Sequence, residues 1–146
     1  MADPILRPLT HADEADALAL WAGLHDETPP PGAFAAVVDH PGTTVWGAEL
    51  DGRVVSVAVL HLLPNVTRGG RPYRLVENVV TAPDLRGRGL GRAVMTRLEQ
   101  AAWAAGAYKI MLLTGAAYGA PGFYAALGWD GTEKVAMIRR DGPPRG

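Results

Sequence analysis

Arg86-Gly87-Arg88-Gly89-Leu90-Gly91 is the stretch on which the fold turns. It follows an apolar run that ends near Thr81 and opens a helical pattern reaching about Ala105. Glycines between a strand and a helix leave backbone N–H groups uncovered and able to converge on an anion. The helix adds its own unpaired N–H groups and the positive end of its dipole. Arg86, Arg88 and Arg92 bring formal positive charge to the same point. The stretch therefore reads as a diphosphate cradle.

Working outward, Tyr73 to Thr81 is a strand, and Leu90, Val94, Leu98 and Ala101 or Ala102 form the apolar stripe of the following helix. Gly106 closes that helix, and Ile110 to Leu113 is a short buried strand. Two strands joined through a helix are parallel neighbours with a right-handed crossover. Upstream, Asp51-Gly52 separates Val45 to Leu50 from Arg53 to Leu63, a strong hairpin signal because both turn residues accept positive φ. The second of these runs is apolar on both faces and belongs inside the sheet. Ile5 to Leu9 is a short strand. Thr10 and Asp13 then start a helix whose apolar face is Leu18, Trp21 and Leu24, beside Ala17 and Leu20. Pro29 to Pro31 separate it from a second helix at Ala33 to Val38. Pro121 to Leu127 is a brief helix stopped by Gly128, and Val135 to Arg139 gives a last strand before a loose tail at 141–146. The order βααβββαβαβ describes a mixed α/β domain with a sheet of about six strands.

With 146 residues, of which 48% are hydrophobic, the chain suits one domain, 1–146, with a sizeable core. The net charge of −1 favours neither a general nucleic-acid binder nor a membrane-surface binder. The lack of cysteine excludes disulfides, Cys-ligated zinc and a thiol nucleophile. Met1 to Thr10 does not read as a signal peptide and no later run is long enough to span a bilayer, so the expectation is a cytoplasmic protein.

Two familiar guests of a glycine loop fail on spacing. In the dinucleotide fingerprint, counting from Gly87, the third glycine position is Arg92, and no acidic residue follows at the ribose-binding distance. A P-loop needs Gly-Lys-Ser/Thr, and the chain has no Gly-Lys pair.

Val79 to Gly91, with Arg86, Gly89 and Gly91 meeting an Arg/Gln-x-x-Gly-x-Gly/Ala core, resembles the acetyl-CoA-binding motif of the GCN5-related N-acetyltransferases (GNAT). Gly122-Phe123-Tyr124-Ala125-Ala126-Leu127-Gly128-Trp129 is similar to the family's second marker, an aromatic-Tyr pair followed by Leu-Gly-aromatic. The resemblance follows the element order from Ile5 to Arg139 and is densest from Glu77 to Trp129. It implies an acyl-CoA N-acyltransferase fold: a mixed, mostly antiparallel sheet with a splayed parallel pair, flanked by about four helices. It also implies acetyl-CoA as cosubstrate, with no metal. The diphosphate would lie on Gly87, Arg88, Gly89, Leu90, Gly91 and Arg92 beside Arg86. The pantetheine arm would pair with the strand edge at Val79, Val80 and Thr81 as an added strand, and an N–H near Val79 would polarise the thioester carbonyl.

Acetyl transfer to an amine requires a proton acceptor, oxyanion stabilisation and a proton for the departing thiolate. Direct attack needs no protein nucleophile. By its place in the marker, Tyr124 is the candidate general acid, with Phe123 as a core aromatic and Tyr118 as an alternative phenol. Glu77 is the candidate base. Simple alternation puts it on one face with Tyr73, Leu75 and Val79, where partial desolvation would raise its pKa. The competing reading is a structural acid paired with Arg74 or Arg53. Many family members carry Asn seven residues before the tyrosine; here that position is Ala117, so the contact is lost or supplied otherwise.

His11, His25, His40 and His61 have no metal spacing. His61, on the interior strand, could line the acceptor site, although a structural histidine is the simpler reading. Asn65-Val66-Thr67 matches a glycosylation sequon by chance. Asp26, Glu27 and Pro29 to Pro31 fall where relatives build an acceptor wall, though solvated loop charges explain the acids as well. The resulting expectation is an N-acetyltransferase acting on a primary amine of a small molecule or peptide, with dimerisation open. The alternative is a non-catalytic CoA-binding sensor or regulatory module.

Overall fold

In the computed structural model, residues 2–115 and 120–142 are described. Ala117 and Tyr118, and most of the tail at 141–146, fall outside them. The chain divides into two units, Met1–Leu112 and Leu113–Gly146.

The first unit is a five-stranded sheet in the order β1-β2-β3-β4-β5. Its strands are β1 (Ile5–Pro8), β2 (Thr43–Leu50), β3 (Arg53–Leu63), β4 (Tyr73–Thr81) and β5 (Ile110–Leu112). The pairs β1–β2, β2–β3 and β3–β4 are antiparallel, and β4–β5 is parallel. The β2–β3 turn is made by Asp51 and Gly52 at φ 50° and 79°, the positive values an Asp-Gly hairpin requires. Three helices belong to this unit: α1 (Glu14–Trp21), α2 (Ala33–Asp39) and α3 (Leu90–Ala104).

Register shows what each face of the sheet carries. Val45, Val57, Val59, His61 and Leu75 share one face, and Trp46, Ala48, Ser56, Ala58, Leu60 and Val76 the other. α3 packs over the second face through Leu90, Val94, Met95, Leu98 and Ala102, all buried, and the Arg97 guanidinium lies 4.5 Å from the Trp46 ring centre. The helix ends as its sequence dictates: Gly106 at φ 84° lets its N–H and that of Ala107 return to the carbonyls of Trp103 and Ala102. The first face is covered by α1 and α2, whose Trp21 and Phe34 rings meet at 6.2 Å. Gly47 is glycine because Leu9 packs against it: an added Cβ would stand 2.6 Å from Leu9 Cδ2.

An ion-pair network fixes the entry to α1. Arg7 donates to both carboxylate oxygens of Asp13 at 2.8 Å and from Nε to Glu49 Oε2 at 2.9 Å. Asp13 in turn accepts from the Thr10 N–H at 2.7 Å. Asp13 is 9% exposed, so these bonds replace its hydration, and Arg7 holds its carboxyl below the usual range.

Three sequence expectations need correction. Leu24 lies beyond the end of α1 and is exposed; the buried residues of that helix are Ala17 and Leu20. β5 is half-buried, with no fully buried residue. Val135 to Arg139 is not a strand: it has no partner edge among the described residues, and Val135 and Met137 are 90% and 93% exposed. Strand preference is mostly a preference for cross-strand neighbours, so apolar alternation alone does not make a strand. The second unit instead contains one described helix, α4 (Ala120–Ala126), closed by Gly128 at φ 93°.

The Arg7–Asp13 pair makes a testable contribution to stability. Asp13→Asn should destabilise the fold by about 1–3 kcal/mol at neutral pH, as expected for hydrogen bonds to a charged partner. Because the folded-state pKa is depressed, the wild-type advantage is complete above the unfolded value near 4. It should shrink as pH falls below that value. Denaturant unfolding of both proteins across that range is the measurement, and a constant difference would remove the pair as the cause.

Candidate functional site

β4 is the strand around which the candidate residues gather. On its β5 side, partners exist only for Arg74, Leu75 and Val76. β5 stops at Leu112, and β4 runs on through Glu77 to Thr81 with no partner strand on that side among the described residues. On its β3 side the register slips between Val57 and Val59, so that Ala58 faces the pair Asn78 and Val79. This is a β-bulge, and Asn78 occupies it at φ 54°. Asparagine is among the few residues other than glycine that accept this conformation.

The bulge changes which residues share a face. Val80 pairs with Val57, and Glu77 with Val59, so Glu77 and Val80 stand on the α1/α2 face. Val79 does not follow Glu77, as strict alternation predicts, because the extra residue at the bulge reverses the parity beyond it. Thr81, opposite Ser56, lies on the α3 face, where its hydroxyl is 2.7 Å from the buried Ser56 hydroxyl. Trp21 secures the bulge from the helix side: its Nε1–H donates to the Asn78 carbonyl at 2.9 Å. Neither Asn78 nor Trp21 stood out as functional in the sequence. The available signal was an asparagine, a poor strand former, inside an otherwise apolar strand.

Glu77 is half-buried, and its carboxylate makes no hydrogen bond or ion pair among the described residues. The structural pairings considered for it are not made. Arg53 instead approaches Asp84 at 3.6 Å, and Arg74 keeps a buried Nε without a partner. Burial pushes the Arg74 guanidinium down from its ordinary value.

The glycine loop follows β4 through a single turn at Pro83–Leu85. Gly87 and Gly89 adopt φ 76° and 79°, and Gly89 is the N-cap of α3. No side chain caps this helix, and by helix geometry its first N–H groups have no intrahelical acceptor. A Cβ built on either glycine would meet nothing within 4 Å, so space lies open in front of both. Arg86, Arg88 and Arg92 are exposed around this turn. An uncapped helix start, positive-φ glycines and three arginines are the elements of an anion cradle that a diphosphate fits. Val79, Val80, Thr81 and Arg86 through Arg92 thus form one continuous stretch from bare strand edge to helix start.

Tyr124 is carried by the second unit. It stands on α4, its ring 5.0 Å from that of Phe123 and 6.2 Å from that of Trp129. The Trp129 N–H returns to the Tyr124 carbonyl at 3.1 Å, the terminal bond of a glycine-closed helix. Phe123 is exposed, not the core aromatic expected. Among the described residues there is no cluster of three or more His, Asp or Glu able to hold a metal, and no helix long and apolar enough to cross a membrane.

Comparison with known proteins agrees with this architecture. The acetyltransferase (GNAT) family model matches residues 9–129. Glucosamine 6-phosphate N-acetyltransferase of Trypanosoma brucei brucei is 35% identical over 118 residues, covering 77% of this chain and 80% of that protein. A solved chain from Agrobacterium tumefaciens str. C58, itself assigned as an acetyltransferase, superposes with a TM-score of 0.85. It is 36% identical and covers 93% of this chain and 99% of that one. A Trypanosoma brucei acetyltransferase superposes with a TM-score of 0.81 at 30% identity, covering 94% of this chain and all of the other. The chain belongs to the GNAT family of acetyltransferases and is an N-acetyltransferase, moving an acetyl group from acetyl-CoA to an amine.

Proposed function

We propose that the acceptor is a small phosphorylated amino sugar of the glucosamine 6-phosphate class. The observation that carries this reading is the 35% identity to the Trypanosoma brucei brucei glucosamine 6-phosphate N-acetyltransferase. We also propose that the chain works as one domain, since the family match runs across the division at Leu112.

When bound, acetyl-CoA supplies the activated acetyl carbon and a thiolate leaving group. In our reading the N–H groups from Gly87 to Arg92 hold its diphosphate, and the partnerless edge of β4 at Val79 to Thr81 holds its amide-rich arm. The bulge supports that second assignment, because it turns the strand where its partner ends. Glu77 takes a proton from the acceptor ammonium, with the pair left on nitrogen attacking the carbonyl carbon. Its carboxylate suits this role because, among the described residues, no arginine or lysine pairs with it. Backbone N–H of β4 near the bulge receives the charge that develops on the carbonyl oxygen. Tyr124 gives its phenolic proton to the sulfur as the carbon–sulfur bond breaks.

Three measurements test these assignments. Thiol release from acetyl-CoA should be faster with glucosamine 6-phosphate than with glucosamine, and slow with peptide N-termini. Equal rates with and without the phosphate would overturn the acceptor class. Gly89→Val should raise the KM for acetyl-CoA about tenfold or more, since a β-branched residue at φ 79° is strained and its side chain fills the open approach; unchanged binding would remove the cradle. Tyr124→Phe and Glu77→Gln should each lower kcat about 100-fold with little change in acetyl-CoA binding. A variant that keeps wild-type kcat would lose its assigned role.

A further inference from the structure

The acceptor nitrogen must shed two protons as an ammonium becomes an amide. One is balanced by the proton that ends on sulfur, and the other has to reach solvent. Glu77 has no hydrogen-bonded route outward among the described residues. A route does exist beside it. His61 on β3 pairs across the sheet with Leu75 of β4 and Thr43 of β2, on the same face as Glu77. Glu77 pairs with Val59, two residues from His61, so the carboxylate and the imidazole are diagonal cross-strand neighbours.

The imidazole Nδ1 of His61 lies 3.0 Å from Thr43 Oγ1, and that hydroxyl lies 3.3 Å from Nδ1 of His40. His40 is exposed, just past the end of α2. The Gly42 backbone N–H donates to His40 Nδ1 at 3.0 Å, and a backbone amide can only donate. His40 Nδ1 is therefore an acceptor and its proton is on Nε2. The polarity that serves the whole chain is His61 Nδ1–H to Thr43 Oγ1, and Thr43 O–H to His40 Nδ1. It leaves His61 Nε2 with a free lone pair on the Glu77 face, and no described residue occupies that nitrogen.

We propose that His61 is a second acid–base residue of the acetyl transfer, passing a proton through Thr43 and His40 to the surface. This rests on the reading of the Glu77 face as the acceptor side. In the step, an N–H bond of the acceptor breaks, its electron pair stays on nitrogen and its proton moves to His61 Nε2. The Nδ1 proton of His61 moves to Thr43 Oγ1 as the Thr43 proton moves to His40 Nδ1. His40 then releases its Nε2 proton to water. Once product has left, His61 loses its Nε2 proton to water in the emptied site, and the chain passes the His40 Nδ1 proton back through Thr43 to His61 Nδ1. His40 regains a proton on Nε2, so that its Nδ1 again accepts from the Gly42 N–H. No oxidant, reductant or further reactant is needed.

The test compares His61→Gln, Thr43→Val, Thr43→Ser and the His61→Gln/Thr43→Val pair, using the amine that wild type turns over fastest. His61→Gln should lower kcat about 30-fold, within the range for a lost acid–base group, while leaving the KM for acetyl-CoA unchanged. Thr43→Val should lower kcat less, Thr43→Ser should keep it, and the double variant should be no slower than His61→Gln alone. Imidazole added to His61→Ala should restore part of the rate. Wild-type kcat in His61→Gln, or losses in the two single variants that simply multiply, would overturn the relay. If a variant unfolds, imidazole rescue of His61→Ala decides alone, and its failure counts against the proposal. Loss of the phosphate preference in wild type would refute only the acceptor class, because the relay is read with any amine that reacts.

Discussion

The geometry around β4 depends on one mismatch: β4 has nine residues and β5 has three. Where both neighbours are present, at Arg74 to Val76, β4 is an interior strand with its peptide groups used on both sides. Past Val76 one side has no partner strand among the described residues. A buried strand with an unpaired edge is normally a liability, because uncovered peptide groups seek any other strand. Here the bulge at Asn78 bends the strand at that point, and Trp21 bonds to the bulge carbonyl from α1. The helix that closes one face therefore also fixes the shape of the exposed edge.

Much of this was legible in the sequence, for local reasons. The Asp51-Gly52 turn, the bounds of β3 and β4, and the start and stop of α3 are set by residues within a few positions of each feature. The strand–glycine–helix order around Arg86 to Arg92 is of the same kind. What escaped was set at a distance. The parity change at Asn78 depends on Val57 and Val59 of a neighbouring strand, so alternation along β4 alone put Val79 on the wrong face. Val135 to Arg139 alternates like a strand, but among the described residues it has no edge to pair with. Leu24 continued an apolar spacing after the helix that would have given it meaning had ended at Trp21.

The face that carries Glu77 shows how polar groups survive on an apolar sheet. Val45, Val57, Val59, Leu75 and Val80 make most of it hydrophobic. His61 is accommodated there because Thr43, directly opposite, takes one of its nitrogens. Glu77 has no such partner among the described residues, which sets it apart from Asp13, whose carboxylate oxygens are engaged by Arg7 and Thr10. The two acids illustrate opposite uses of a carboxylate. A fully engaged one fixes a helix entry, and an unengaged one remains available to exchange a proton.

The bare start of α3 has a thermodynamic corollary. A capping side chain in place of Gly89 would be worth about a few tenths of a kcal/mol to the free protein, which goes without it. Whatever anion satisfies those N–H groups binds the folded chain and not the unfolded one. By mass action it then adds stability that grows with its concentration, about 2.7 kcal/mol at a hundred times its dissociation constant. Folded lifetime and ligand supply are coupled through the same few amides. The population of intact protein would thus report how much of that ligand the surroundings hold.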